Sequence, residues 1–223
     1  MNIESSAVCF DHPRKGHDRI VTPDTNPGNP LLYAALDGAG RDDLSRAAVE
    51  IMHQGGHDGL LSLCVEIDNA PVYGRSTGAI ALFGQDDPQS NAVSVDVANF
   101  GDSSVIVVQE NRRPYILHST SGLLADDRTI DTKHFLGRNR SPYTIKKDGY
   151  VKNVRLPRNM PWHITLLTDG VVDTDSPASA PFSHECIAQF LLNGMKAEDI
   201  LTQDWFDLAC TDDAALVTIH NNV

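Results

Sequence analysis

The amino-acid sequence predicts an α+β fold in one domain that spans residues 1–223. Strand-like segments alternate with two pairs of helix-like segments, in the order strand, two helices, several strands, two helices, strand. The connections within the central group of strands are too short for helical crossovers, which favours antiparallel pairing. No internal repeat or coiled-coil pattern competes with this interpretation.

The first third of the chain predicts two strands and two helices. Ala7–Phe10 is predicted as a short strand, and the charged segment after it as a polar loop. Leu31–Leu36 is predicted as the next strand, which ends at Asp37. Apolar residues recur at helical spacing over Gly40–Gln54 and over His57–Asn69, so both segments are predicted as amphipathic helices.

From residue 74 onward the pattern is mainly that of strands. Four successive strands with turn residues between them are predicted to form an antiparallel meander, because their connections are short. These strands are Ala79–Phe83, Ala92–Asn99, Val105–Gln109 and Tyr115–His118. The later predicted strands are Val151–Leu156, His163–Thr168 and Ala214–His220. The later predicted helices are Ser183–Leu192 and Ala197–Leu208.

Carboxylates occur at the ends of four predicted strands that are far apart in the chain. The clearest case is Ile164–Asp173, which reads I-T-L-L-T-D-G-V-V-D, an apolar run that ends in Asp-Gly. The other strand ends carry similar acids. The acids concerned are Asp37, Asp102, Asp169 and the pair Asp212 and Asp213. A shared divalent-metal site would explain this pattern, and turn residues that cap strand ends are the alternative.

The composition excludes some classes of partner. Lys and Arg number 18 against 30 Asp and Glu, for a formal net charge of -12. A binder of nucleic acid or of an anionic membrane would need a basic face, so neither partner is expected. The four cysteines form no C-x-x-C motif, which argues against zinc and thioredoxin-type chemistry. These cysteines are Cys9, Cys64, Cys186 and Cys210. We expect them to be reduced in a cytoplasmic protein, since the chain has neither a signal peptide nor a membrane-span pattern.

Five segments, taken together and in order, resemble the metal-dependent serine/threonine protein phosphatases of type 2C, the PPM family. The segments are A-A-L-D-G-A-G, G-R-S-T-G-A-I-A-L, V-A-N-F-G-D-S-S-V-I-V-V, L-L-T-D-G-V-V-D and T-D-D-A-A-L-V-T-I. The likeness extends from about Asp18 to Ile219. One Asp-Gly pair has no value as a signal, whereas five ordered blocks at strand ends are specific.

The resemblance implies more about the fold than the residues alone predict. It implies a β-sandwich of two antiparallel sheets flanked by pairs of helices, with a two-metal site at one end. The segment from Asp102 to Gly137 is short for the family, so the flap beside the site is expected to be reduced. This points to the compact bacterial type of the family.

The resemblance also implies roles for individual acids. Asp37 would bridge two Mn²⁺ or Mg²⁺ ions, and the backbone carbonyl group of Gly38 would contact one of them. Asp169 and Asp212 would complete the protein ligands of the first ion. Asp18 corresponds to one member of an early acidic pair that ligates the second ion.

Further positions have supporting roles in the family. Asp102 and Asp173 match positions that hold a third, weaker metal ion or orient metal-bound water. Asp213 stands where the family usually has Asn and is expected to support the site. Arg14 is the candidate for the phosphate-binding arginine, about one residue off register, with Lys15 as the alternative.

The sequence departs from the family pattern at two places. His17 replaces the first acid of the early pair, which puts the outer ligands of the second metal ion in question. Ala39 stands where many eukaryotic members have a histidine that is proposed as general acid, and bacterial members commonly lack that histidine too. The leaving group would then take its proton from metal-bound water, from His12 or from His17. Ser76 is expected to be a structural hydrogen-bonding residue, as is Thr77.

The expected function is metal-dependent hydrolysis of phosphoserine and phosphothreonine in proteins, by a hydroxide that bridges the two ions. Hard cations such as Mn²⁺ and Mg²⁺ prefer oxygen ligands, and the candidate ligands are all oxygens. The expected partner is a phosphorylated protein, and the chain is expected to be a monomer. Two alternatives stay open. One is a pseudophosphatase that uses the same fold for binding or regulation, and the other is a phosphohydrolase of small molecules.

Overall fold

The structure is a computed structural model that describes residues 3–10, 17–26, 31–38, 43–84, 89–110, 112–118, 136–147, 150–172, 182–201 and 212–221. Ten strands and five helices form within these residues. The strands are β1 (Ile3–Phe10), β2 (Arg19–Val21), β3 (Leu32–Gly38), β4 (Ser76–Phe83), β5 (Ala92–Phe100), β6 (Ser104–Gln109), β7 (Tyr115–His118), β8 (Val151–Pro157), β9 (Trp162–Leu167) and β10 (Ala214–Asn221). The helices are α1 (Asp43–Gln54), α2 (Leu60–Asp68), α3 (Pro142–Lys147), α4 (His184–Leu192) and α5 (Ala197–Leu201).

The strands form two five-stranded sheets that pack face to face. The strand order is β1-β10-β9-β6-β7 in the first sheet and β2-β3-β4-β5-β8 in the second. All neighbouring strands are antiparallel. Alternate side chains from both sheets, among them Val95, Val105, Trp162 and Val217, fill the space between the sheets.

Pairs of helices cover the two outer faces. Helices α1 and α2 pack on the second sheet, where Leu44, Met52 and Leu63 join a buried cluster. Helices α4 and α5 pack on the first sheet in another cluster that includes Ile187 and Leu191. The result is an α-β-β-α arrangement of four layers, because each sheet must bury both of its apolar faces. The predicted α+β sandwich of two antiparallel sheets with flanking helix pairs is confirmed.

The predicted meander is wrong at its centre. Strands β4 and β5 pair, as do β6 and β7, but β5 and β6 lie in different sheets. The chain crosses between the sheets at the turn that contains Gly101, where φ is 68°, and Asp102. A short connection limits how far the chain travels, and it leaves open whether the next strand continues the same sheet or enters the facing one.

Two short elements, β2 and α3, were not predicted from the sequence. Parts of some predicted elements lie outside the described residues. Strand β2 has three residues and lies in a charged segment, so its pairing with β3 decides its conformation. Helix α3 begins at a proline after a polar stretch. Helix α5 is described as far as Leu201, and the rest of the predicted helix to Leu208 lies outside the described residues. The same is true of most of the expected reduced flap.

The cysteines and the membrane prediction can be compared with the structure in part. Within the described residues Cys64 and Cys186 are free thiols, and burial raises the pKa of the Cys64 thiol. The Cys9 thiol donates to the backbone oxygen of Asp18. Cys210 lies outside those residues. No helix in the described part of the chain is long and apolar enough to cross a membrane.

Candidate functional site

The acids predicted from the sequence lie at one end of the first sheet. Ser104 of β6 and Leu216 of β10 both pair with Leu167 of β9, so these strands are aligned at this level. Asp102 precedes Ser104 by two residues, and Asp169 follows Leu167 by two. Asp212 and Asp213 directly precede β10. Because the strands are antiparallel, these strand ends meet at the same edge of the sheet.

The second sheet brings Asp37 and Asp18 to the same end of the sandwich. Asp37 pairs with Thr77, and Gly38 pairs with Ser76 at the start of β4. Asp18 directly precedes β2, whose Arg19 pairs with the residue before Asp37. Both carboxylates therefore lie at the edge where β3 ends and β2 and β4 begin.

Asp18 joins the two sheets at this end. Its side chain is 2% exposed, and its Oδ2 accepts a hydrogen bond of 2.7 Å from the hydroxyl group of Thr168. The Thr168 hydroxyl oxygen in turn accepts from the backbone N–H of Ala215 at 2.9 Å. Thr168 precedes Asp169, so a residue before β2 is held against the ends of β9 and β10.

The environment of Asp18 opposes its ionisation. Burial raises the pKa of its carboxyl group well above the ordinary value, and the negative charges of Asp37 and Asp169 raise it further. The hydrogen bond from Thr168 acts in the opposite direction. The side chains of Asp18 and Asp37 lie close enough to share a proton, but with both ionised the buried Oδ1 of Asp18 has no hydrogen-bond donor.

These features provide a test of whether a metal ion fits. A buried oxygen without a donor, next to two further carboxylates, lacks a positive partner, and a divalent cation would supply one. The donors are all oxygens, as Mn²⁺ and Mg²⁺ require. Among the described residues, however, no three His, Cys, Asp or Glu side chains converge as they stand so that they could hold an ion. The residues fit a hard cation in their chemistry and in their location at one end of the sandwich.

The loops that carry Asp169 and Asp212 are in close contact. A Cβ atom on Gly170 would lie 1.8 Å from the backbone oxygen of Asp213, so only glycine fits there. Asp213 is buried, and its Oδ2 accepts from the backbone N–H of His17 at 2.9 Å. The backbone N–H of Asp213 donates to Oδ1 of Asp212 at 2.8 Å. Asp213 thus ties the segment of Asp18 to the start of β10.

Hydrogen bonds also connect the strand of Asp37 with the turn of Asp102. The Ser76 hydroxyl group donates to the backbone oxygen of Asp37 at 2.5 Å. The hydroxyl groups of Thr77 and Ser103 are 2.9 Å apart and share a hydrogen bond. Ser76 and Thr77 are fully buried, which agrees with their expected structural role. Asp102 itself is half-buried on the turn between the sheets.

Some predicted positions lie outside the described residues. These are Arg14, Lys15, His12, Ala39 and Asp173. The phosphate-binding arginine, the missing histidine after Asp-Gly and one of the two positions for a third metal ion therefore stay as predictions.

Two contributors to this end of the fold were missed at the sequence level. Thr168 stands within the L-L-T-D-G segment, directly before the strand-end Asp169, and that position was the available signal. His184 is buried at the start of α4, and its Nε2 lies 2.8 Å from the hydroxyl oxygen of Ser104. Nothing in the local sequence distinguishes His184 from an exposed helix-start residue.

Solved structures with the same arrangement are known. One is RsbX in complex with magnesium, which is 14% identical, with a TM-score of 0.64 over 98% of this chain and 94% of that one. Another is the catalytic domain of the serine/threonine protein phosphatase PstP in complex with two manganese ions, which is 15% identical, with a TM-score of 0.63 over 97% of each chain.

A third is the S. agalactiae serine/threonine phosphatase, which is 15% identical, with a TM-score of 0.63 over 98% of this chain and 99% of that one. No protein-family model and no curated protein sequence matches this chain significantly. At such low identities the comparisons show a common fold and no more.

Proposed function

We propose that this chain, which has the fold of the PPM-type serine/threonine phosphatases, is a metal-dependent phosphatase of phosphoserine and phosphothreonine in proteins. The proposal treats residues 1–223 as one phosphatase domain. The observation that carries it is the position of the buried Asp18 carboxylate, which is held by Thr168 directly before Asp169 and lies beside Asp37, at one end of the sandwich. The repulsion of a buried Asp18 carboxylate by two like charges has a cost for folding that a cation would offset.

Each acid has a proposed role in this site. Asp37, Asp169 and Asp212 would hold the first of two Mn²⁺ or Mg²⁺ ions, together with the backbone carbonyl group of Gly38. Asp18 would ligate the second ion, with Asp37 shared between the two. When bound, such a pair supplies an activated water nucleophile and offsets the charge of the phosphoryl group.

The protein itself positions these ligands. Thr168 holds Oδ2 of Asp18, which leaves the buried Oδ1 without a hydrogen-bond donor and available to a cation. Ser76 holds the backbone of Asp37, and Asp213 holds the segment before Asp18. Hydrogen bonds of this kind, made to the ligand residues by their neighbours, keep metal ligands in one orientation.

Four further positions complete the proposal. Asp102 and Asp173 would hold a third, weaker ion or orient water. Arg14 would bind phosphoryl oxygens, since a guanidinium group matches them geometrically. The proton for the leaving oxygen would come from water or from His17.

A second candidate function is a pseudophosphatase, in which the same fold binds a partner without turnover. His17 and Ala39, which stand where the family has an acid and often a histidine, favour this candidate. The burial of Asp18 beside Asp37 and near Asp169 disfavours it, because a binding module has no need of a buried carboxylate that two like charges repel.

Hydrolysis of p-nitrophenyl phosphate and of a phosphoserine peptide, each with Mn²⁺ and with EDTA, tests the proposal. We expect turnover with Mn²⁺ only, and a loss of at least about a hundredfold in Asp37→Asn and Asp169→Asn. Asp58→Asn, a change at an exposed acid on the α1–α2 connection, is the matched control and should keep wild-type rates.

Calorimetric titration with Mn²⁺ on the same proteins separates the two candidates. Binding with no turnover of either substrate would favour the pseudophosphatase. Neither binding nor turnover would overturn the metal site itself. Preference for sugar or nucleotide phosphates over phosphopeptides would replace the protein substrate with a small molecule.

A further inference from the structure

A surface groove of about 320 Å³ lies between α1 and the loop that precedes β4. It is called the Tyr73 groove below. One wall is the face of α1 formed by residues at positions i, i+3, i+4 and i+7, and the other wall is the loop. The lining residues are Asp43, Arg46, Ala47, Glu50, Val72 and Tyr73. None of them was predicted as a site residue.

The Tyr73 groove lies near the acid-rich end of the sandwich. Tyr73 precedes Ser76 by three residues, so their Cα atoms are at most about 11 Å apart. Ser76 pairs with Gly38 and holds the backbone oxygen of Asp37. The groove is therefore within reach of a peptide whose phosphorylated residue is bound at Asp37.

The loop wall presents apolar surface to solvent. The side chain of Tyr73 is 85% exposed and that of Val72 is 40% exposed. They are neighbours, and Tyr73 is the most exposed large hydrophobic residue in the described part of the chain. Exposed aromatic rings at a groove are typical anchors of bound peptides.

The helix wall adds negative charge. Asp43 and Glu50 are exposed, and neither of their side chains makes a hydrogen bond or an ion pair with another residue in the described ranges. Arg46 lies between them and has a contact of its own. An aromatic ring and an aliphatic side chain beside two carboxylates suit a side chain with an apolar stem and a positive end.

We propose that the Tyr73 groove binds an arginine or lysine side chain of the phosphoprotein substrate, within about four residues of the phosphorylated residue. The stem of that side chain packs on Tyr73 and Val72, and its charge faces Asp43 and Glu50. This inference rests on the proposed phosphatase function. It adds a specificity determinant, since an extended peptide spans about 3.3 to 3.6 Å per residue.

Matched phosphopeptides test the inference. A phosphoserine peptide of otherwise small residues carries one Arg at successive positions on either side of the phosphoserine, and its partner carries Gln there. At the position where Arg is most favourable, we expect the Arg peptide to have a kcat/KM about five- to twentyfold above that of its Gln partner. The difference should come mostly from a lower KM. Tyr73→Ala and Glu50→Gln should each lower this ratio toward one.

The ratio is insensitive to a general loss of folded or active enzyme, because such a loss lowers both rates alike. Tyr143→Ala is the matched control, since Tyr143 is a second exposed tyrosine, 73% accessible on α3, and does not line the groove. It should keep the full Arg preference. A ratio of one at every position in the wild type, or a preference that survives both groove variants, would overturn the inference.

Failure of the proposed function has a different signature. In that case the wild type leaves p-nitrophenyl phosphate and all peptides unchanged. Fluorescence anisotropy with the same labelled Arg and Gln peptides then tests the groove directly. Tighter binding of the Arg peptide that is lost in Tyr73→Ala supports it, and equal binding of both peptides contradicts it.

Discussion

Gly170 has no room for a side chain because the backbone of Asp213 passes where a Cβ atom would lie. This contact sets the distance between the loop of Asp169 and the loop of Asp212. It involves the backbone on one side, so the neighbour cannot turn away as a flexible side chain could. The glycine of the Asp-Gly pair is thus required by packing between two strand ends.

Gly170→Ala should destabilise the protein by about 3 kcal/mol, because the loops must separate to admit the methyl group. Urea denaturation followed by circular dichroism measures this free energy of unfolding. Gly84→Ala is the comparison, since its Cβ would lie 3.3 Å from the backbone oxygen of Ser94, and it should cost less than about 1 kcal/mol. Equal stability of both variants would contradict the close approach.

Strands β9 and β10 place two histidines opposite each other at the end of the first sheet away from the acids. His163 pairs with His220, and their ring centres are 5.8 Å apart. Val108 of β6 lies on the other side of His163, and Glu4 of β1 lies 3.3 Å from Nε2 of His220. Burial lowers the pKa of His163, and the neighbouring His220 lowers it further.

This arrangement predicts a loss of stability in mild acid. A histidine whose pKa is lowered in the folded state contributes stability that is fully present above its unfolded pKa, about 6.5. That stability is lost as the pH falls through the folded value. Between pH 7.5 and pH 5 the free energy of unfolding should therefore fall more steeply in the wild type than in His163→Gln.

Thermal or urea unfolding at several pH values gives the two slopes. His53→Gln changes an exposed histidine on α1 and should keep the wild-type slope. If His163→Gln and the wild type show the same pH dependence, the opposed pair does not control acid stability.

At one end of the sandwich, the segment that carries Asp18 and leads into the second sheet contacts the first sheet. Asp37 belongs to the second sheet, and Asp169 and Asp212 follow or precede strands of the first. A cation bound by acids from both sheets would link them in the folded state only. Such a ligand stabilises the whole fold through mass action.

Mn²⁺ at about a hundred times its Kd should raise the free energy of unfolding by about 2.7 kcal/mol. For a chain of this length that corresponds to an increase in Tm of about 5–10 °C. EDTA should reverse the increase, Asp37→Asn should abolish most of it, and Asp58→Asn should retain it. Scanning calorimetry measures the change without any need for activity, and an unchanged Tm at saturating Mn²⁺ would contradict binding between the sheets.

Asp18→Asn tests the same contact between the two sheets in a second way. It replaces a buried acid, whose ionisation is opposed by burial and by two neighbouring carboxylates, with a neutral amide, so the metal-free protein should become more stable. The gain in Tm on adding Mn²⁺ should become smaller. A variant that is less stable than the wild type without metal would indicate that the Thr168 hydrogen bond outweighs the repulsion.

Local sequence was sufficient to predict the helices and strands in which the apolar pattern extends over many residues. The helices α1 and α2 and the central strands follow from side-chain periodicity, because a face that must be buried repeats at the period of its element. The strand-end acids Asp37, Asp169 and Asp212 could be singled out because each follows or precedes an apolar run. The resemblance to type 2C phosphatases added the sandwich, which periodicity cannot distinguish from other α+β arrangements.

Long-range contacts decided the rest. Strand β2, the crossing from β5 to β6, the link from Thr168 to Asp18 and the burial of His184 all depend on residues far away in the chain. Sequence patterns report the side of an element that is apolar, and they carry no distance between elements. The chain alone therefore indicated the acids, and only the packing of two sheets against each other placed Asp18 beside Asp37 and near Asp169.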